Sequence, residues 1–150
     1  MRKRSRYRPT SIRYDVMGFV MSGMRTLSQT GGALSTLQIK NHDALMALVQ
    51  GKATAYSMNI LIEVSNMSEA LTKQGYGSQW ATEIAAGKAA IEAVTSRDKW
   101  ICNSSEMNAI RELFNVHDAQ LEVVTVREIE QALDYINDVK RNKLARKIIT

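Results

Sequence analysis

Residues 103–140, NSSEMNAIRELFNVHDAQLEVVTVREIEQALDYINDVK, decide the fold class. Met107, Ile110, Phe114, His117, Leu121 and Val124 recur at spacings of three and four, which puts all of them on one face of a helix. Two capping signals bracket this stripe. Asn103 followed by Glu106 opens one helix, and Thr125 followed by Glu128, a box of the T-x-x-E type, restarts a second. In that second helix Ile129, Leu133, Ile136 and Val139 are expected inside. It is acidic early, at Glu128, Glu130 and Asp134, and basic late, at Lys140, Arg141 and Lys143, the order that complements a helix dipole.

The same signals continue toward the N-terminus. Thr95 to Asn103 reads as an extended connection. Before it, Ser78 is expected to cap a helix with Trp80, Ile84, Ile91 and Val94 on one stripe. Ala86, Ala90 and Ala93 form a small-residue face on that helix, open to close approach by a neighbour, while Gly87 weakens it by about 1 kcal/mol relative to alanine. Thr54 caps a helix whose row Ile60, Val64, Met67 and Leu71 runs on to Gly75, with Leu61 widening the buried face and Tyr76-Gly77 as the turn. Ala33 to Val49 carries two rows, Leu34, Leu37, Leu45 and Leu48 on one and Ile39, His42, Met46 and Val49 on the other, and ends at Gly51. Ser28 to Gly32 reads as a loop, and Asp15 caps a short helix through about Met24.

Pro9 is the only proline in 150 residues, so almost no segment is barred from helix. The expectation is an all-α compact bundle of about five to six helices with up-and-down neighbours. One helical domain spans 14–138, between a basic arm at 1–13 and a basic tail at 139–150, both read as flexible. The length suffices for one core without disulfides or a structural metal. The lone Cys102 cannot form an intrachain disulfide and points to a reducing compartment.

The net charge of +5 is unevenly spread. Arg2, Lys3, Arg4, Arg6, Arg8 and Arg13 have no acid among them, and neither do Lys140, Arg141, Lys143, Arg146 and Lys147. All fifteen carboxylates lie between these groups against nine basic residues, so an acidic body carries basic ends. In the arm, Tyr7 lies among the positive charges, a composition suited to phosphate contact with one stacking side chain. These twelve residues, the eleven basic ones and Tyr7, are the candidate partner-binding residues. The bland reading is a solubilising arm.

Catalytic chemistry finds little support. His42 and His117 are each followed by Asp, about 100° away around a helix, and neither has a ligand three or four residues distant. Both sit among core residues and read as structural, bonded to a neighbour; the sharper alternative joins them across two helices into a metal or acid/base pair. No histidine lies beside Cys102, no glycine-rich elbow surrounds a serine, and Gly18, Gly23, Gly31 and Gly32 lack the lysine of a phosphate loop. No cofactor or metal is expected, and the chain reads as a non-enzyme. The apolar run Val16 to Met24 is too short to cross a bilayer, and no membrane partner is expected.

The strings KRSRYRP at 3–9, IKNHDAL at 39–45, VHDAQLEVVTVREIE at 116–130 and RNKLARKI at 141–148 resemble, in this order, a group of small proteins encoded by bacteriophages and prophages. The resemblance implies a phage or prophage origin and a bacterial cytoplasm. It supplies no activity and no functional residues. It also lowers a further explanation of the Arg-rich start, an organelle transit peptide.

Two functions remain open at this level. One is a phage accessory protein that binds nucleic acid or a host nucleoprotein through the basic ends. The other is an inhibitor or adaptor of the anti-CRISPR or anti-restriction type, docking its helical surface on a host enzyme or defence complex. Self-association is compatible with either.

Overall fold

The computed structural model describes residues 23–149, with side chains through residue 143. Five helices account for most of it: α1 (Ala33–Val49), α2 (Ala55–Lys73), α3 (Ala81–Thr95), α4 (Ser104–Val123) and α5 (Val126–Ile149). Among the described residues the only β pairing is a single bridge between Thr26 and Thr125. There Leu27 N–H donates to the Val124 carbonyl at 3.1 Å and Val126 N–H to the Arg25 carbonyl at 3.0 Å, which ties the chain ahead of α1 to the α4–α5 corner. The protein is an all-α bundle.

The three strongest capping signals form as their residues require. Thr54 Oγ1 accepts from Ser57 N–H at 3.3 Å, Asn103 Oδ1 from Glu106 N–H at 2.8 Å, and Thr125 Oγ1 from Glu128 N–H at 3.3 Å. In the latter two the carboxylate reaches back to the cap's own N–H, so two orphan donors are satisfied at one helix start. The bundle is arranged around α2, which touches every other helix. Leu61, Leu71, Val94, Ile110, Leu113, Phe114 and Leu121 form its fully buried centre. Each contributes about 1.5–3 kcal/mol relative to exposure.

Four expectations are corrected. Ser78 does not cap α3: Ser78–Trp80 form a 3₁₀ turn, and Trp80 stands at the cap position without a side-chain bond. The row Ile39, His42, Met46 and Val49 lies outside; α1 buries Asn41, Ala44, Leu45 and Leu48 instead. Its amphipathic pattern has two apolar rows, and α2 and α4 cover only one. Leu133 is likewise exposed, and Ala132 takes its place, fully buried in the cluster against α2. On α3, Ala86 and Ala93 are exposed, and the close approach is made by Gly87 and Ala90. A Cβ on Gly87 would stand 2.4 Å from Leu113 Cβ and 3.0 Å from the Ala109 carbonyl oxygen. The glycine that costs α3 helix propensity is what seats α4.

At the C-terminus α5 continues to Ile149, so the expected tail from 139 onward is helical backbone rather than a separate segment. The short helix expected from Asp15 lies outside the described residues apart from its last two positions, Gly23 and Met24, which are helical.

Candidate nucleic-acid interface

α5 docks on α2 through Ile129, Ala132 and Ile136. This packing fixes where its basic half points. Lys140 and Lys143 are three residues apart and share a face; Arg141, about 100° away, is held at 3.9 Å from Asp138. Lys140 and Lys143 come to line a small cleft of about 110 Å3 with Asn66 and Glu69 of α2, Lys88 of α3, and Tyr135 and Val139. Among the described residues neither lysine has a carboxylate within 4 Å, whereas Lys88 is paired with Glu69.

Lys73 completes the ridge. Its Nζ donates to the Tyr135 hydroxyl and stands over that ring, 4.7 Å from the centroid. The hydroxyl acting as acceptor holds the Lys73 ammonium above its ordinary pKa. Tyr135 is 41% exposed, leaving part of its ring open beside the cations. Cationic side chains around a half-exposed aromatic ring are suited to phosphate oxygens and to stacking.

Of the candidate residues from the sequence, Lys140, Arg141 and Lys143 are exposed on α5. Arg146 and Lys147 lie on its last turns, with side chains outside the described residues. Arg2, Lys3, Arg4, Arg6, Tyr7, Arg8 and Arg13 also lie outside them. Lys73, Lys88 and Tyr135 are additions that the sequence did not single out. Isolated lysines on helices carry no local signal, and only the way α2, α3 and α5 are packed gathers them.

The chain matches no known protein family, no curated protein and no solved structure. Its own geometry therefore carries the functional argument.

The two histidines bond to different partners rather than to each other. His42 Nε2 meets Asp118 Oδ2 at 2.6 Å across α1 and α4, with its ring edge-on to Phe114 at a centroid distance of 5.5 Å. His117 is buried, and its Nδ1 lies 3.4 Å from Gln120 Oε1. Each histidine is bonded to a neighbour, as the structural reading expects. Asp118, the partner of His42, stands 76 residues away and was not foreseen. Among the described residues no three His, Cys, Asp or Glu side chains gather in a way that could hold a metal ion. Cys102 is half-buried against the core, and burial pushes its thiol pKa up, away from the reactive thiolate.

Gln120 anchors the buried polar network beside His117. Its Nε2 donates to the carbonyls of Ser68 at 3.1 Å and Tyr76 at 3.0 Å, and lies 3.2 Å from Thr72 Oγ1. Its Oε1 accepts from Ser68 Oγ at 2.7 Å. Carbonyls only accept, so the amide can face only one way. Oε1 is thereby turned to His117, whose Nδ1 must carry the proton; Nε2 is left as a bare acceptor.

Proposed function

We propose that this is a non-enzymatic phage-type accessory protein of the bacterial cytoplasm that binds nucleic acid or a nucleoprotein complex through its basic ends. The observation that carries the reading is the ridge on α5. Lys140 and Lys143 stand unpaired among the described residues, on a helix seated against α2, next to Lys88, Lys73 and the half-exposed ring of Tyr135. Cations held on a helix contact phosphate at a smaller entropic cost than a loose tail would. No described helix is long and apolar enough to cross a membrane.

Binding of this kind releases counterions, so the logarithm of affinity falls linearly with the logarithm of salt, by about 0.9 per phosphate neutralised on duplex DNA. Removing both lysines, Lys140→Ala with Lys143→Ala, is expected to reduce the slope by roughly 1.8 on that scale. Deleting residues 2–8 is expected to reduce it by several units while the helical body stays folded. Absence of binding by the intact chain to DNA or RNA at low salt retires this reading.

A second reading has its own observation. Ile39, Met46 and Val49 of α1 are 61%, 51% and 39% exposed, and Tyr56 at the start of α2 is 68% exposed. Ile39 and Tyr56 line a surface cleft of about 360 Å3 together with Lys40 and Asp43. Such a surface suits an inhibitor or adaptor docking on a host protein. A defined complex that survives nuclease and high salt, and is lost in Ile39→Asp with Met46→Asp, favours this reading over the first.

A further inference from the structure

The cationic ridge does not end at α5. Lys73, the last residue of α2, is bonded to the Tyr135 hydroxyl and also lines a surface groove of about 400 Å3 between α2 and α3. Lys88 lines both this groove and the small cleft that holds Lys140 and Lys143. Tyr135 therefore stands between two sets of lysines, one on α5 and one on α2 and α3. The carboxylates along this path are Glu69, paired with Lys88, Glu92 in the groove, and Asp138, held near Arg141.

Lysines by themselves do not choose between kinds of nucleic acid except by charge density. Duplex DNA carries about one charge per 1.7 Å of its axis and one strand about one per 3.4 Å, so point charges alone favour the duplex. The ring reverses that order. Lys73 engages the hydroxyl, so what Tyr135 offers a ligand is its π face, and the residue is 41% exposed. In a duplex the faces of the bases are covered by their neighbours in the stack, whereas an unpaired base can be splayed out against an aromatic side chain. From Tyr135 to Lys143 the helix rises roughly 12 Å, about the length of three to four nucleotides stacked in one strand. Ala81, Ala85 and Ala89 wall the groove beyond Lys73, and their short apolar side chains suit the flat face of a base better than a phosphate.

We propose, resting on the nucleic-acid reading above, that the ridge is a site for single-stranded nucleic acid. One unpaired base stacks on the Tyr135 ring, and the phosphates on either side of it are held by Lys140 and Lys143 on α5 and by Lys73 on α2. The ring is in place before the ligand arrives. Ala132 and Ile136, on either side of Tyr135 in the chain, seat α5 on α2, and Lys73 holds the hydroxyl end. Stacking then orders little that is not already ordered, which keeps its entropic cost low.

The test measures binding of the full chain to fluorescein-labelled oligothymidine, oligouridine and duplex DNA of equal length, across a salt titration. The native chain is expected to bind the single strands more tightly than the duplex, against the order that charge density dictates; the tighter of the two single strands identifies DNA or RNA as the ligand. Tyr135→Ala is expected to lower single-strand affinity roughly 5- to 150-fold, the worth of one stacked base, and to leave duplex affinity within about twofold. Its salt slope is expected to stay unchanged, since the ring neutralises no phosphate. Tyr135→Phe keeps the ring and loses the bond to Lys73; retention of the single-strand preference in this variant separates stacking from any displacement of the lysine. Tyr7 of the basic arm is a second ring among cations, so the decisive quantity is the change made at Tyr135. A circular dichroism melt checks that each variant is folded. Duplex binding by the native chain as tight as single-strand binding, or an unchanged single-strand affinity in Tyr135→Ala, overturns the single-strand site and leaves the phosphate-binding reading in place. Absence of binding to every probe overturns both.

Discussion

His117 is the most strongly perturbed titratable group among the described residues, and burial is the main cause: its pKa falls from 6.5 to about 4. Between these values the unfolded chain takes up a proton that the folded chain refuses, so stability is lost as pH falls from about 6.5 to about 4 and is level with respect to this group below that. The full loss is about 3 kcal/mol. Urea denaturation of the native chain and of His117→Gln at pH 7 and pH 4 isolates the effect, because the carboxylates are common to both. The gap between the two proteins is expected to narrow by that amount at the lower pH; a constant gap contradicts the buried neutral imidazole. Gln120 tests the same network from its centre. Gln120→Leu strands the Tyr76 carbonyl, the Ser68 hydroxyl and His117 Nδ1, at an expected cost of about 2–4 kcal/mol in the same assay. The sequence marks His117 as a core position by its place in the stripe. It gives no sign of Gln120, because a polar residue one step from that stripe reads as surface until Ser68 and Tyr76 are brought to it.

Helix by helix, the elements whose ends carry a side-chain cap match their sequence signals closely, and the exception is informative. Neither α1 nor α3 has a side-chain cap at its start, but only for α3 does the sequence offer one, and that residue, Ser78, is held in the turn that Gly77 opens at φ +80°. Where a cap does form it should matter: Asn103→Ala is expected to cost about 1 kcal/mol, read as a lower urea midpoint with unchanged m. The α3–α4 contact gives a sharper test. Gly87→Ala improves helix propensity by up to about 1 kcal/mol, yet its Cβ would sit 2.4 Å from Leu113 Cβ. Overpacking of about 1–3 kcal/mol is expected to prevail, lowering the melting temperature. A rise would mean that α3 and α4 can separate freely. Ala86 and Ala93 have the same periodicity as Ala90 and were equally eligible in sequence; which small residues face a neighbour was settled by where α4 lies.

Across the molecule the apolar interior falls into two clusters. The larger joins α1 to α4 through residues such as Leu48, Leu61, Ile91 and Phe114. The smaller holds α5 to α2 through Ala70, Leu71, Val124 and Ala132, with Ile129 and Ile136 partly covered. Local opening free energy follows buried contact, so amide hydrogen exchange is expected to be slowest in α2 and α4 and fastest among the helices in α5 beyond Ile136. Uniform protection along α5 would contradict this order. The proposed interface is thus carried on the least firmly anchored helix. A ligand bridging α5 to α2 and α3 is expected to slow exchange there.

Local sequence signals suffice to specify that the chain is helical, where four of the five helices begin and end to within a few residues, and that positive charge gathers at its ends. Caps, periodic stripes and charge runs act over a single turn or a single helix, so neighbouring residues suffice to specify them. Tertiary structure alone decided which apolar row of α1 is covered, that Gly87 rather than Ala86 meets α4, and that His42 pairs with Asp118. It also decided that Lys73, Lys88 and Tyr135 join the basic ridge. Each of these depends on the rotation of one helix about its axis relative to another. That angle is set by side-chain volumes summed over whole interfaces, and no local stretch of sequence encodes it.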